Sequence, residues 1–372
     1  MEIKATHYKT QKSYRFVISD SKFSEIEEIE YDKSLPILSP GFIDLQINGY
    51  NGVDFNDNFN FNQANIVLEE LLKLGIQQIY PTIITNKFNK LVELGENICE
   101  WVDSSPLAKK MVKGIHLEGP YISTKDGAKG AHALEFIKAP DIEEFKTLRN
   151  NLRQLIKIVT LSPEWKEAIP FIEALHSEVT IAIGHTTANG NEINLAVEKG
   201  ARLSTHLGNG AEAMLPRHPN YIWSQLANDE LYASVIADGF HLDQNILKVI
   251  NRAKNGKLIL VSDSVSLAGL PAGNYVQAIG GNVTLTEEGR LFLTESPQYL
   301  AGCAKNLWQC MVYFYEHIEP NILNVISLVT TNIYSLMREK DPIYVGNKAD
   351  FVLIDPYTLE IKASYLMGKD WC

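Results

Sequence analysis

The chain has 372 residues, 45% of them hydrophobic and 21% charged, and this composition predicts a globular protein with one large domain and a small one. Its formal net charge of −11, without a dense basic block, argues against a general nucleic-acid binder, since such proteins depend on contacts with phosphates. No apolar run approaches the ~20 residues that a membrane helix needs, and residues 1–16 lack the apolar core of a signal peptide.

The cysteines also bear on where the protein works. Cys99, Cys303, Cys310 and Cys372 include no C-x-x-C pair, and only Cys303 and Cys310 lie near each other in the sequence. This pattern indicates reduced thiols rather than a disulfide framework or a zinc cluster. We therefore expect a cytoplasmic protein without nucleic-acid or membrane partners.

Short β-branched runs that end in polar residues recur along most of the chain. There are eight of them, at residues 40–49, 75–84, 112–119, 155–163, 178–186, 201–209, 231–239 and 256–264. Intervening segments such as 62–75 and 188–200 carry apolar residues at three- and four-residue spacing and close on glycine, as amphipathic helices do. Eight alternating units predict an α/β protein with a (β/α)8 TIM-type barrel. A doubly wound open sheet is the competing interpretation.

Both ends of the chain depart from this alternation. Residues 1–39 are polar with short alternating runs, and the segment after residue 343 predicts two strands around a turn at Asp355-Pro356. We expect 1–39 and 340–372 to form a small β-sandwich beside a barrel made by residues 40–339.

Four of the predicted strands carry chemically useful residues at their carboxyl ends, where barrel enzymes place their active sites. Strand three ends with Glu118, strand five with His185, strand six with His206 and strand eight with Asp263. A barrel would gather these ends around one pocket. One carboxylate and two imidazoles suit a divalent cation with a position open for water, and an aspartate nearby could shuttle protons.

Each of these residues also has a simpler explanation. A single histidine at a strand end is more often structural than a ligand, Glu118 could pair with a neighbouring strand, and Asp263 could cap a helix. Three potential ligands and an aspartate on four strand ends nevertheless favour a catalytic role over a structural one. We interpret Asp238, beside Gly239, as a turn residue and His116 as part of the barrel packing.

Seven segments then follow one another along the chain: "SPGFIDLQINGYNGVDF", "GIHLEGPYIS", "GAH" at 130–132, "AIGHTTA", "THLGN", "IADGFHLD" and "VSDSVSLAGLPAG". In this order they resemble the N-acetylglucosamine-6-phosphate deacetylases of the amidohydrolase superfamily, over about residues 39–310. The resemblance implies a metal-dependent hydrolase. It would remove the acetyl group from N-acetylglucosamine 6-phosphate, leaving glucosamine 6-phosphate and acetate.

The resemblance also implies which residues carry out the reaction. Glu118, His185 and His206 match the metal ligands of the family, and Asp263 matches the catalytic acid/base. His132 matches a catalytic histidine that contacts the acetamide carbonyl.

Substrate contacts follow from the same resemblance. Asn209 and Gly210 match residues that contact the sugar, and Ala131 belongs to the same group. Arg217 and His241 match residues that hold the phosphate, partly across a dimer interface. We therefore expect a homodimer acting on a small phosphorylated amino sugar.

The first predicted strand bears on the number of metal ions. Many members of the superfamily carry His-x-His there and bind two metals, whereas this chain has Gln46 and Asn48. Amides ligate zinc poorly compared with imidazole, so we expect one divalent ion per subunit. Zinc is the expected ion, with iron, cobalt and manganese as alternatives that the same ligands accept.

Three segments depart from the family pattern. They are "HLGNGAEAM" at 206–214, "RHPN" at 217–220 and "AGCAK" at 301–305, where Cys303 replaces a small polar residue. Because these segments bear on the sugar and the anion, two other hypotheses stay open. One is a related amidohydrolase acting on another N-acetylhexosamine phosphate or on a cyclic or N-acyl amide; the other is a non-catalytic sugar-binding barrel.

Overall fold

A computed structural model describes residues 1–277 and 281–372 of the chain. Its strands, numbered in chain order, are β1 (Glu2–His7), β2 (Ser13–Ser19), β3 (Lys22–Glu28), β4 (Ile37–Ser39), β5 (Phe42–Ile47), β6 (Gly49–Tyr50), β7 (Val53–Asp54), β8 (Ile76–Ile84), β9 (Ile115–Glu118), β10 (Ile156–Leu161), β11 (Thr180–Ile183), β12 (Leu203–Ser204), β13 (Tyr232–Ile236), β14 (Leu258–Val261), β15 (Gly273–Gln277), β16 (Gly281–Leu285), β17 (Leu291–Leu293), β18 (Ser296–Leu300), β19 (Phe351–Ile354), β20 (Ile361–Leu366) and β21 (Lys369–Asp370).

The helices are α1 (Phe61–Lys73), α2 (Phe88–Ser104), α3 (Pro106–Met111), α4 (Ile142–Asn151), α5 (Ala168–Leu175), α6 (Gly190–Lys199), α7 (Tyr221–Ala227), α8 (Gln244–Ala253), α9 (Leu307–His317), α10 (Ile322–Leu328) and α11 (Thr331–Met337). Side chains of Asn60, Asp141 and Asn189 accept hydrogen bonds from the first backbone N–H groups of α1, α4 and α6. These caps set where the helices begin. Across the described residues, no helix combines the length and apolar character needed to cross a membrane.

The central sheet is a parallel barrel. Its strand order is β5, β8, β9, β10, β11, β12, β13, β14. The ring closes between the last and first strands, where the N–H of Asp263 donates to the carbonyl of Gln46 at 2.8 Å and that of Asn48 to Ser264 at 2.8 Å. The predicted (β/α)8 fold is confirmed, and the closed ring excludes the doubly wound sheet.

Most barrel strands and helices lie close to their predicted positions. The predicted helices at 62–75 and 188–200 correspond to α1 and α6. The largest difference is the strand expected at 201–209, of which only Leu203–Ser204 pairs as β12, because the chain turns at His206 with φ of 29°.

Two apolar layers position the strand ends. One lies inside the barrel, and includes Ile43, Leu45, Ile158, Leu203, Ile236 and Ile259. The other joins the outer faces of the strands to the surrounding helices and contains the buried aromatic side chains Trp101, Phe145 and Phe171. Because both layers exclude water, the orientation of each strand end is set by the core beneath it.

The two ends of the chain meet in one mixed sheet of seven strands. Its order is β21, β20, β19, β4, β1, β2, β3. The rings of Phe16, Phe23 and Phe351 pack along it with centroids 5.9 to 6.0 Å apart. The predicted pair of strands around Asp355-Pro356 is confirmed as β19 and β20, which pair antiparallel. The division at residues 39 and 340 stays a prediction.

An antiparallel sheet of four strands, β15 to β18, follows the last barrel strand. We did not expect it, since the whole segment 40–339 was assigned to the barrel. It has its own small core, formed by Leu267, Val283, Leu285 and Leu291. The sheet is therefore an insertion between β14 and α9.

All four cysteines are free. Cys99, Cys303 and Cys310 are buried, and Cys372 is exposed. The expectation of unpaired thiols is confirmed.

Candidate active site

Three predicted ligands converge at the carboxyl ends of the barrel strands. Oε1 of Glu118 lies 2.8 Å from Nε2 of His206 and 3.2 Å from Nε2 of His185. The two Nε2 atoms are themselves 3.2 Å apart. All three side chains are buried. Residues separated by up to 88 positions in the sequence thus form one cluster.

The backbone at these positions is unusual. His185, His206 and Asp263 each lie two residues beyond the end of a barrel strand, and each has a positive φ, of 49°, 29° and 48°. Non-glycine residues rarely adopt this conformation, and where they do it is concentrated at functional sites. All three side chains lie in one site just beyond the strands that carry them.

Two loops enclose the ring of His185. Its Nδ1 donates to the carbonyl of Ala128 at 2.7 Å; because a carbonyl only accepts, Nδ1 carries the hydrogen and the lone pair of Nε2 faces Glu118. A methyl group built on Gly210, where φ is 55°, would lie 2.6 Å from Nδ1. Glycine is therefore required there for the loop to approach the ring.

The two amides of the first barrel strand orient the two carboxylates. The amide of Gln46 donates to Oε1 of Glu118 at 3.0 Å, and that of Asn48 donates to Oδ1 of Asp263 at 2.7 Å. Sequence reasoning treated this pair only as poor metal ligands. Their hydrogen bonds position Glu118 on one side of the site and Asp263 on the other.

His132 lies against the same cluster. Its ring centroid is 4.5 Å from that of His185, and its Nδ1 contacts Oγ1 of Thr85 at 2.7 Å. A ligand atom of His132 lies within 4.8 Å of those of Glu118 and His185. Burial lowers the pKa of His132 to about 3, so the ring is neutral and can donate through only one nitrogen.

The site stabilises positive charge. Burial opposes ionisation of Glu118, but hydrogen bonds to His185 and His206 outweigh it and hold its pKa well below the usual range. Burial also acts to lower the pKa of His206, yet the carboxylate of Glu118 raises it to about 9.

These side chains fit a divalent metal ion. Ligand atoms bound ~2.0–2.1 Å from a tetrahedral ion are about 3.3 Å apart. The spacing of 2.8 to 3.2 Å between the carboxylate oxygen and the two Nε2 atoms is close to that value. One Glu and two His are a donor set that zinc, iron, cobalt and manganese accept.

Asp263 lies beside this cluster without belonging to it. Burial, together with the negative charge of Glu118, raises the pKa of Asp263 to about 6, while His206 and His241 act in the opposite direction. A carboxylate with such a pKa can both accept and release a proton near neutral pH. Its hydrogen bond to Asn48 leaves the second oxygen available.

His241 is held by a neighbour that we had interpreted as a turn residue. Oδ2 of Asp238 lies 2.7 Å from Nδ1 of His241, and its Oδ1 accepts from the N–H groups of Phe240 and His241. The contacts agree with a turn, but the carboxylate also orients the imidazole. Sγ of Cys303 lies within 4.8 Å of the ligand atoms of both residues.

The remaining predicted contacts lie on the two loops near His185. Asn209 and Gly210 follow β12 and are partly buried, and Ala131 is exposed beside His132. Arg217 is exposed in the same loop as Gly210, and it has no ion pair among the residues that the structure describes. The structure thus brings most of the predicted site together and leaves Arg217 at its margin.

Residues 37–369 match the model of the amidohydrolase family. A relative named N-acetylglucosamine-6-phosphate deacetylase in Bacillus subtilis is 32% identical over 91% of this chain and 87% of its own length. The chain belongs to the amidohydrolase family. Within it, the chain belongs with the N-acetylglucosamine-6-phosphate deacetylases, as the resemblance predicted.

A further relative agrees with this placement among the amidohydrolases, and solved structures share the fold. The relative of that name in Homo sapiens is 30% identical over 90% of this chain and 83% of its length. The crystal structure of N-acetylglucosamine-6-phosphate deacetylase from Thermotoga maritima covers 100% of this chain with a TM-score of 0.85 at 24% identity. That from Pasteurella multocida gives the same score at 24% identity. These structures confirm the fold.

Sequence reasoning missed several supporting contacts in this amidohydrolase. Thr85 contacts His132, the carbonyl of Ala128 accepts from His185, and Asp238 orients His241. Only the last pair carried a signal, since an aspartate three residues before a histidine, with a glycine between them, can fold into such a turn. The other two depend on loops that approach from elsewhere in the chain.

Proposed function

We propose that this chain hydrolyses the acetyl amide of N-acetylglucosamine 6-phosphate, releasing acetate and glucosamine 6-phosphate. The observation that carries the proposal is the buried cluster of Glu118, His185 and His206 with Asp263 beside it, in a chain that belongs with deacetylases of that name. An amide is a poor electrophile, so its hydrolysis needs an activated water and a stabilised oxyanion. The cluster and Asp263 offer groups that could activate the water and stabilise the oxyanion.

Glu118, His185 and His206 would hold one divalent metal ion, which we infer to be zinc. Such an ion, when bound, lowers the pKa of a water molecule and polarises the carbonyl to be attacked. Gln46 and the carbonyl of Ala128 keep the ligands in position through their hydrogen bonds to Glu118 and His185.

Asp263 would be the general base and then the general acid. Its free carboxylate oxygen accepts a proton from the attacking water as the new carbon–oxygen bond forms. The same proton passes to the nitrogen as the carbon–nitrogen bond breaks, so that the amine leaves neutral. The amide of Asn48 holds Asp263 in place during both transfers.

His132 and His241 would orient the substrate. The neutral ring of His132, held at Nδ1 by Thr85, can donate from Nε2 to the acetamide oxygen. His241, held at Nδ1 by Asp238, presents its other nitrogen to the sugar phosphate. Asn209, Gly210 and Ala131 line the loops through which the sugar would enter.

We infer that Arg217 completes the phosphate site from an exposed loop, in a homodimer whose second subunit lies against that loop. A guanidinium binds phosphate through a charge-assisted fork. The free cysteines are consistent with a reducing, cytoplasmic location.

Acetate release from N-acetylglucosamine 6-phosphate, measured before and after chelation, tests the proposal. We expect activity to disappear with the metal and to return with added zinc. Glu118→Gln should lose both bound metal by elemental analysis and activity, whereas Glu143→Gln, on the exposed face of α4, should keep both.

Two substrate comparisons separate the proposal from its rivals. Unphosphorylated N-acetylglucosamine should be a poorer substrate, and Arg217→Ala should remove most of that difference. A metal-loaded enzyme that ignores the phosphate, or that hydrolyses only cyclic amides, would assign it to another amidohydrolase activity.

A further inference from the structure

A second cavity, with a volume of about 220 Å³, lies at the opposite end of the barrel from the candidate active site. Its lining includes Gly41, Gln77 and Lys113, which lie at or just before the amino ends of β5, β8 and β9. The chain between α11 and β19 covers it. The cavity therefore lies where the barrel meets the sheet of the chain ends.

Positive charge predominates in this cavity, although the whole chain is acidic. Four lysines line it, against two acidic residues, Glu339 and Asp350; the lysines are Lys110, Lys113, Lys340 and Lys348. Asp350 is already engaged, since its Oδ2 lies 2.6 Å from Nζ of Lys110 and its Oδ1 accepts from the N–H of Met367 at 2.9 Å. The cavity thus contains two more positive than negative side chains.

Lys113, like Lys110, is more confined than the exposed Lys340 and Lys348. It is half-buried and makes no ion pair among the described residues, and Lys340 and Lys348 likewise make none. Burial, followed by repulsion from Lys110, lowers the pKa of Lys113. Holding several ammonium groups around a partly enclosed space is unfavourable unless an anion compensates them.

We propose that this cavity binds a small phosphate-bearing anion, independently of the catalytic site. A single water needs only about 10–15 Å³, so the space can hold a molecule of many atoms. Lysine ammonium groups bind phosphate as point charges and do not require the planar geometry of arginine. The ligand would bridge the barrel bottom and the segment leading into β19.

Titration calorimetry with inorganic phosphate, and separately with glucose 6-phosphate, tests the proposal on the full chain. Lys113→Met removes the central ammonium, whereas Lys109→Met alters an exposed lysine of α3 that does not line the cavity. Neither substitution alters the catalytic site, so both variants should bind these ligands equally well there. We expect one class of site to weaken at least tenfold in Lys113→Met and to persist in Lys109→Met.

The ligand that binds more tightly shows whether the cavity takes free phosphate or a sugar phosphate. Crystals soaked in that ligand should show it beside Lys113. Identical titrations of the two variants with both ligands would overturn the proposal. Should Lys113→Met fail to fold, a double Lys340→Met and Lys348→Met variant alters only exposed side chains of the same cavity. Unchanged binding in that variant would also count against it.

Discussion

Individual side chains in this protein derive their chemical properties from burial and from the neighbours that they contact. Asp263 has a raised pKa because it is buried near Glu118, and Asn48 holds one of its oxygens. His185 presents a lone pair because Ala128 accepts its hydrogen. The same residue types on an exposed surface would have neither property.

Asp263→Asn should abolish proton transfer while leaving the metal ligands intact. General acid–base catalysis is typically worth about 10²- to 10⁴-fold, so kcat for acetate release should fall within that range. Metal content, measured by elemental analysis, should stay at the wild-type value. A kcat within fivefold of wild type would show that another group moves the proton.

Asp238→Asn should impair substrate binding more than the chemical step. The carboxylate of Asp238 holds the ring of His241 through a hydrogen bond at Nδ1, and its loss should raise KM severalfold with a smaller effect on kcat. Asp243→Asn, which alters the exposed cap of α8, is the matched control and should change neither constant.

The roles of Asp238 and His241 can fail separately. If His241→Gln raises KM but Asp238→Asn does not, the carboxylate is only a turn residue. If neither variant changes KM, the assignment of His241 to the phosphate is wrong.

At the scale of the elements, the candidate catalytic residues lie just beyond the ends of the barrel strands. Three strands stop two residues before a side chain with positive φ, and the loops after β9 and β12 close on His185 from two sides. Their approach depends on glycines, because a side chain there would occupy the position of the ring. The loops are thus part of the proposed metal site.

Gly210→Ala tests this coupling between loop and ligand. The added methyl would lie 2.6 Å from Nδ1 of His185, so either the ring or the loop must move, and metal affinity and kcat should both fall at least tenfold. Gly256→Ala is the matched control: its φ is also positive, at 72°, but a methyl there meets nothing within 4 Å.

Both variants should lose on the order of 1 kcal/mol of stability from backbone strain alone. Equal metal content and kcat in the two variants would show that strain, and not contact with His185, accounts for any effect of Gly210→Ala. Thermal unfolding measured in parallel separates the two causes.

At the scale of the whole molecule, the barrel is closed by polar groups as well as by its strands. Oδ1 of the buried Asp44 accepts from the N–H of Ser262 at 3.1 Å, across the junction between β5 and β14. Burial raises the pKa of Asp44 to about 7. The carboxyl therefore titrates within the physiological range at the last junction of the ring.

Stability should consequently depend on pH through Asp44. Its pKa is higher in the folded than in the unfolded chain, so its contribution is greatest below pH ~4 and is lost as the pH rises toward about 7. Asp44→Asn cannot titrate. The free energy of unfolding of wild type minus that of the variant should therefore fall over this window, by at most about 1.4 kcal/mol per pH unit.

Urea denaturation at several pH values measures this difference, with exposed Asp20→Asn as the control. A difference that stays constant between pH 4.5 and 7.5 would mean that Asp44 keeps the same charge throughout. A difference that increases with pH would reverse the sign of the argument.

Much of this protein could be predicted from local patterns in its sequence. The alternation of β-branched runs with amphipathic segments determined the barrel, and the residues at the ends of those runs determined the candidate ligands Glu118, His185 and His206. Both signals are local, because each depends on side chains a few positions apart that share one strand or one helix face.

Only the tertiary structure decided which groups touch. The hydrogen bonds from His185 to Ala128 and from Asn48 to Asp263 join residues 57 and 215 positions apart, through loops and a ring closure that leave no local pattern. The lysine-lined cavity likewise arises where distant segments, around Lys113 and Lys348, pack together. Sequence spacing determines which side chains share an element, whereas contact between elements depends on how the whole chain excludes water.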